Sequence, residues 1–185
     1  MLLTPPHFVA EPGDLAEVLH HAKQHGCPHC RRTGTLIGHG LLFGYAEHGS
    51  ERVLRGRRLL CSKRHRRPGC GRTWSVRLTS VIAGFSVRTA ALSHLLSAVV
   101  QGIGRKATWT AQAPGLSTRS GYRLWRRLCA AQSHIRTALC SLCPTPPSKD
   151  PRPIAQLLAH LEHALGTAHC VLASFQLTFQ RSVLG

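Results

Sequence analysis

Cys27 and Cys30 stand in CPHC, a Cys-x2-Cys pair of the kind that supplies two corners of a tetrahedral metal site. Two further donors must reach the same ion, and in the strand-like stretch that follows the only later cysteines are Cys61 and Cys70, spaced Cys-x8-Cys. Four thiolates make a closed site for one structural zinc ion, whereas a hydrolytic zinc keeps an open position and uses histidine or carboxylate ligands. His29, inside the first pair, and His65, between the second, are rival ligands. Lys63, Arg64, Arg66 and Arg67 lie between Cys61 and Cys70. Their charge would offset the anionic thiolate cluster, lower the thiol pKa values, and still be available to phosphate. Gly71, directly after the second pair, can take a positive φ and let backbone N–H groups point at sulfur.

Other cysteine chemistry fits less well. CPHC occurs in thiol oxidoreductases, but there it opens a helix in a βαβ setting, and here polar RRTGT follows. Cys140 and Cys143, in CSLC, repeat the knuckle spacing, with Cys129, Cys170 or His169 as candidates to complete a set. That pair follows a helix and has no matching knuckle, so buried or free thiols are expected.

Charge points to a partner. From 52 to 149 the chain holds no carboxylate, but sixteen arginines and three lysines, a local charge of +19. The remainder, with five basic and seven acidic residues, carries −2. Coding bias can favour Arg over Lys, but it does not remove every acid from 98 consecutive positions. A regional excess of this kind is the footprint of a surface that meets a polyanion. Magnesium-dependent cutting or joining of DNA needs a cluster of carboxylates. The seven acids, Glu11, Asp14, Glu17, Glu47, Glu51, Asp150 and Glu162, form no such trio, so no enzymatic activity is expected.

The elements that must position these groups can be read from pattern. Asp14 and Glu17 have capping-box spacing for a helix running to about His25. From Cys27 to about Ser80, the runs LLFGYA, RVLRGRRLL and RTWSVRL, broken by glycine and polar turns, predict a small antiparallel sheet with Trp74 in its core. From Ser86 the period becomes helical, with Leu92, Leu95, Leu96 and Val99 on one face and an end near Gly102. A short helix in IGRKATWTAQAPG, carrying Arg105 and Lys106, stops at Pro114 and Gly115. Ser117 then caps a longer helix, STRSGYRLWRRLCAAQSHIRTAL. Its apolar stripe is Leu124, Trp125, Leu128, Ile135 and Leu139, with Tyr122 beside it as core, and Arg119, Arg123, Arg126 and Arg127 fall mainly on the other side. Helix, short helix, tight turn and basic helix follow the order of a helix-turn-helix unit. CPTPPSKDPRP, residues 143–153, has five prolines and reads as a linker, IAQLLAHLEHALG as an amphipathic helix, and AHCVLASFQLTF as helix or strand.

The combination of CPHC, RGRRLLCS, GCGRTWSV and the YRLWRRL helix resembles the zinc-ribbon and helix-turn-helix head of bacterial insertion-sequence transposases and their orphan relatives without a catalytic domain. The resemblance spans about residues 27–140, and its eight-residue spacer before Cys70 departs from the commonest ribbon pattern. It implies that Cys27, Cys30, Cys61 and Cys70 hold zinc and that a recognition helix begins near Ser117. The expected fold is α+β: an N-terminal helical segment (1–26), a small antiparallel zinc ribbon (27–84), a helix-turn-helix (85–142), the linker (143–153) and a helical tail (154–185).

Duplex DNA is the expected partner. Arg119 and Arg123 are the candidates for reading bases, with Arg126 and Arg127 on the backbone and Ser117, Thr118, Arg105, Lys106, Lys63, Arg64, Arg66 and Arg67 as further contacts. RNA is the alternative, suggested by Phe43 and Tyr45 on the sheet. A third reading is a protein-interaction module that docks its partner through the helix at 154–165. MLLTPPHFVAEPGD lacks the basic leader and apolar core of a secretory signal, and AALSHLLSAVV is short of the ~20 residues of a membrane span, so a cytoplasmic protein is expected.

Overall fold

The structure, a computed structural model, describes residues 5–45, 51–64 and 68–185. It is α+β, with a four-stranded mixed sheet and six α-helices among these residues. The strands are β1 (Phe8–Val9), β2 (Leu36–Tyr45), β3 (Arg52–Cys61) and β4 (Thr73–Leu78). The helices are α1 (Pro12–His20), α2 (Thr89–Val100), α3 (Arg105–Gln112), α4 (Thr118–Leu139), α5 (Pro153–Leu165) and α6 (Val171–Phe179). No described helix is long and apolar enough to cross a membrane. The chain divides into two compact units, Met1–Gly44 with Arg52–Thr79, and Tyr45–Glu51 with Ser80–Gly185.

The first unit is built on the sheet, in the order β1-β4-β3-β2. β3 and β4 pair antiparallel, with Leu59 opposite Trp74 and Gly56 opposite Arg77. The sheet is not purely antiparallel as expected, because β1 adds a parallel edge, Phe8 opposite Arg77 and Val9 opposite Leu78. The Trp74 indole N–H donates to the Pro6 carbonyl at 3.1 Å and so anchors this N-terminal strand to β4. Trp74, expected in the sheet core, is thus only partly buried, its ring 3.9 Å from that of His7. α1 starts earlier than the capping-box spacing at Asp14 suggested. Glu11 is its N-cap, and Asp14 accepts the Glu11 N–H at 2.9 Å. Pro12 fits the first turn because the donor it lacks would have had no helical partner. The buried apolar set of this unit is small: Phe8, Val9, Leu15, Ala22, Leu36, Leu59, Val76 and Leu78.

The second unit is helical and has the larger core. Leu92, Leu95 and Leu96 of α2, Trp109 of α3, Leu124, Leu128, Ile135 and Leu139 of α4, Leu157 and Leu161 of α5, and Leu172 and Phe175 of α6 belong to one buried cluster. Ile154, Leu157, Leu158 and Leu161 of α5, the helix of the protein-docking alternative, are buried in the chain's own core. The ambiguous AHCVLASFQLTF segment becomes α6, and its buried Gln176 donates to the Val81 carbonyl at 3.1 Å. The proline-rich stretch before α5 is tied down by Arg152. Its guanidinium pairs with Asp150 and donates to the Val100 carbonyl at 2.6 Å, satisfying an orphan acceptor at the end of α2.

The turn between α3 and α4 fixes the geometry of the basic helix. Ser117 caps α4 as expected, its hydroxyl accepting the Ser120 N–H at 3.3 Å. The Trp109 indole N–H donates to the Ser117 carbonyl at 3.2 Å. A Cβ at Gly121 would lie 2.6 Å from the Trp109 ring, so only glycine lets the two helices approach this closely.

Candidate metal centre and basic cleft

The four predicted thiols come together. The sulfur atoms of Cys27, Cys30, Cys61 and Cys70 all lie within 4.8 Å of one another. The Sγ–Sγ distances Cys27–Cys70 and Cys30–Cys61 are both 3.7 Å. Disulfide sulfurs would be ~2.05 Å apart. A regular tetrahedron with metal–sulfur bonds of ~2.3 Å has edges of ~3.8 Å, so the set fits one metal ion and is compatible with zinc. His29 is outside the cluster, its ring 6.1 Å from that of Trp74. His65, Arg66 and Arg67 lie outside the described residues.

Two loops deliver the ligands. In the first, the Cys27 N–H donates to the Arg32 carbonyl at 2.9 Å and the Arg31 N–H to the Cys27 carbonyl at 2.7 Å, with Arg31 in the left-handed region at φ 59°. In the second, Cys61 ends β3, and the Gly71 N–H donates to its carbonyl at 2.9 Å. Gly71 has φ +76°, as the sequence suggested, and this turn brings the Cys70 N–H to 3.2 Å from the Cys61 sulfur. Gly69 is required for a different reason, since a Cβ there would sit 2.1 Å from the Ser62 carbonyl oxygen. The loops are joined by the Ser62 N–H donating to the Thr35 carbonyl at 2.8 Å and by the Arg32 guanidinium donating to the Pro68 carbonyl.

Cys27 and Cys61 are buried, but their thiols are tuned in opposite directions. Burial pushes Cys27 up to about 12. Burial also opposes ionisation of Cys61, but the Thr35 hydroxyl and the Cys70 N–H favour its thiolate and bring it down to about 7. Loading a metal ion must therefore expel the Cys27 proton at any pH below about 12, and the Cys61 proton as well below about 7. The sign follows: metal affinity rises with pH. It is expected to change by at least ~10-fold per pH unit above neutrality and at least ~100-fold per unit below it. Competition titrations with zinc and a chromogenic chelator between pH 5.5 and 8.5 measure this slope, and a flat profile would contradict it.

The remaining cysteines form no such group among the described residues. Cys129 and Cys140 are exposed, the Cys140 sulfur lies 3.8 Å from the Thr145 hydroxyl, and the Cys143 carbonyl lies 3.3 Å from Nε2 of His160.

The described residues predicted to contact nucleic acid, Arg127 aside, fall into three places. Lys63 and Arg64 are exposed just after β3, with the Lys63 stem against Gly71 beside the thiol cluster. Lys106 and Thr118 line a narrow crevice against Trp109. Arg105, Ser117, Arg119, Arg123 and Arg126 line one open cleft of about 630 Å³ along α3 and α4, together with Ser120, Tyr122, Trp125 and Cys129. No carboxylate lines it.

The arginines of α4 differ in what they touch. Arg123 and Arg127 both stand over Phe85, 5.1 and 5.7 Å from its ring centre. Arg119 and Arg126 are exposed and have no protein partner among the described residues. Tyr122 was expected in the core but is 50 % exposed, because it lies one residue off the apolar stripe. Trp125 is half-buried, and Arg105 covers both rings, 5.6 Å from Tyr122 and 5.7 Å from Trp125. Sequence reasoning missed this aromatic wall. The signal was present in the Tyr-x2-Trp spacing, which places both rings on one helix face. No family model matches the chain, and neither does a curated protein or a solved structure.

Proposed function

We propose that this chain is a non-catalytic, zinc-dependent DNA-binding protein, similar in plan to the recognition head of an insertion-sequence transposase without its catalytic part. The observation that carries the reading is the cleft along α3 and α4. Four guanidiniums open onto it, no carboxylate does, and it lies within the 98 residues that lack any acid. Such a surface attracts a polyanion and repels basic partners, because its field is of one sign. α3, the turn at 113–117 and α4 have the order of a helix-turn-helix, in which the second helix enters the major groove with its N-terminal residues against base edges. Arg119 would then meet bases or phosphates directly, with Arg126 about two helical turns behind it on the backbone. Bound zinc would close the sheet unit and hold Lys63 and Arg64 in place as additional phosphate contacts.

One observation favours RNA or single strands as a second reading. Leu41 and Phe43 are 44 % and 47 % exposed on one face of β2, Tyr45 is 52 % exposed at its end, and Arg52 stands 5.5 Å from the Phe43 ring. Exposed rings beside cations are how unpaired bases are stacked. Enrichment from a random duplex pool by the zinc-loaded protein, with an RNA pool beside it, separates the two. A recurrent duplex motif is expected, and preference for the RNA pool would reject the first reading in favour of the second.

A further inference from the structure

Duplex binding alone leaves the aromatic wall of the cleft without a use. Phosphates need only the guanidiniums, and the outer edges of a duplex offer no free base face to stack. Yet Tyr122 is half-exposed in the cleft, Trp125 lies next to it, and a planar guanidinium, Arg105, covers both rings. A flat cation at that spot marks a surface on which a flat base can lie, because guanidinium and nucleobase stack on the same ring faces. Arg119 and Arg126, without protein partners, supply charge for the attached phosphate. At about 630 Å³ the cleft is within the range of small-ligand sites.

We propose that this cleft takes one unpaired nucleotide of a DNA strand, its base on Tyr122 and Trp125 and its phosphate on Arg119 and Arg126. Arg105 moves off the rings as the base arrives and joins the phosphate contacts. The inference rests on the DNA-binding reading and adds a single-stranded end or gap to the substrate that reading implies.

The test uses the zinc-loaded full chain and a 5′-phosphorylated thymidine trinucleotide, followed by amide and indole shifts in NMR spectra, with a blunt duplex titrated separately. Saturable trinucleotide binding that moves the Trp125 indole signal is expected. Tyr122→Ala should weaken it by ~10-fold or more, while Tyr122→Phe keeps it, since stacking needs the ring and not the hydroxyl. Because Tyr122 is half-exposed, the alanine variant should keep the wild-type helical spectrum, and that check separates lost stacking from lost folding. Removal of the 5′-phosphate should weaken binding to the wild type and leave Arg119→Ala unaffected. Equal binding of the trinucleotide by wild type and Tyr122→Ala, or shifts confined to β2, would overturn the proposal. Trinucleotide binding without any duplex binding would sustain the cleft and sink the parent reading; duplex binding without trinucleotide binding would do the reverse.

Discussion

Removing the metal is expected to unfold the sheet unit and leave the helical unit folded. Residues Met1–Gly44 and Arg52–Thr79 bury only a short set of apolar side chains, Phe8, Leu36, Leu59, Val76 and Leu78 among them on the sheet. A core of this size is too small to offset the conformational entropy of its chain. The thiol cluster joins the loop at 27–32 to the end of β3 and to the turn at 69–71, so it closes long segments against one another. Structural zinc supplies an apparent ~10–16 kcal/mol in small domains, as much as the whole stability of many proteins. Without the ion, four thiols remain crowded together, and Cys27 stays protonated because its burial opposes charge. The helical unit has its own core, from Ile82 to Leu184, and contains none of the four ligands. Hydrogen exchange in a strong chelator should therefore show β3 and β4 amides losing protection while α2 and α4 amides keep it. Cys61→Ser should reproduce that pattern with zinc present. A sheet still protected in chelator would show that the thiols are not what holds it.

Changing Arg119 and Arg126 to alanine together is expected to weaken duplex binding and to flatten its salt dependence. Each phosphate contact on duplex DNA contributes ~0.9 to the slope of log affinity against log salt, so losing two should reduce it by ~1.8. Neither side chain has a protein partner among the described residues, and both are exposed, so stability should change by no more than ~0.5 kcal/mol. Arg123 and Arg127 are the informative comparison. Both stand over Phe85, so their removal should also cost folding stability, by ~0.5–1 kcal/mol for each cation–π contact. If the Arg119 and Arg126 variant kept the wild-type slope, these groups would be a solvated helix face.

The thiol cluster was legible because its chemistry is local. A Cys-x2-Cys pair and two later cysteines leave few ways to complete a tetrahedron, and Gly71 had to follow Cys70 for the turn. The helices were legible for a similar reason. Ser117 caps α4, and Leu124, Leu128, Ile135 and Leu139 repeat at helical spacing and are buried. What pattern could not give depends on contacts distant in sequence. β1 is two residues long between prolines, and its parallel partner is about seventy positions away, so nothing in PPHFV announces a strand. That Arg123 and Arg127 share Phe85, and that Arg105 covers Tyr122 and Trp125, depends on residues from other segments of the chain. Helical spacing alone separates an apolar stripe from a charged face; it does not say which arginine finds an aromatic partner and which stays free.

The central claim is an electrostatic grip on DNA, and titrating a fluorescent duplex with the zinc-loaded chain from 50 to 200 mM salt tests it most directly. With Lys63, Arg64, Arg119 and Arg126 on phosphates, a log–log slope of about −4 is predicted, a loss of affinity of ~100-fold or more over that range. Binding that is absent at the lowest salt, or that does not weaken as salt rises, would contradict the account.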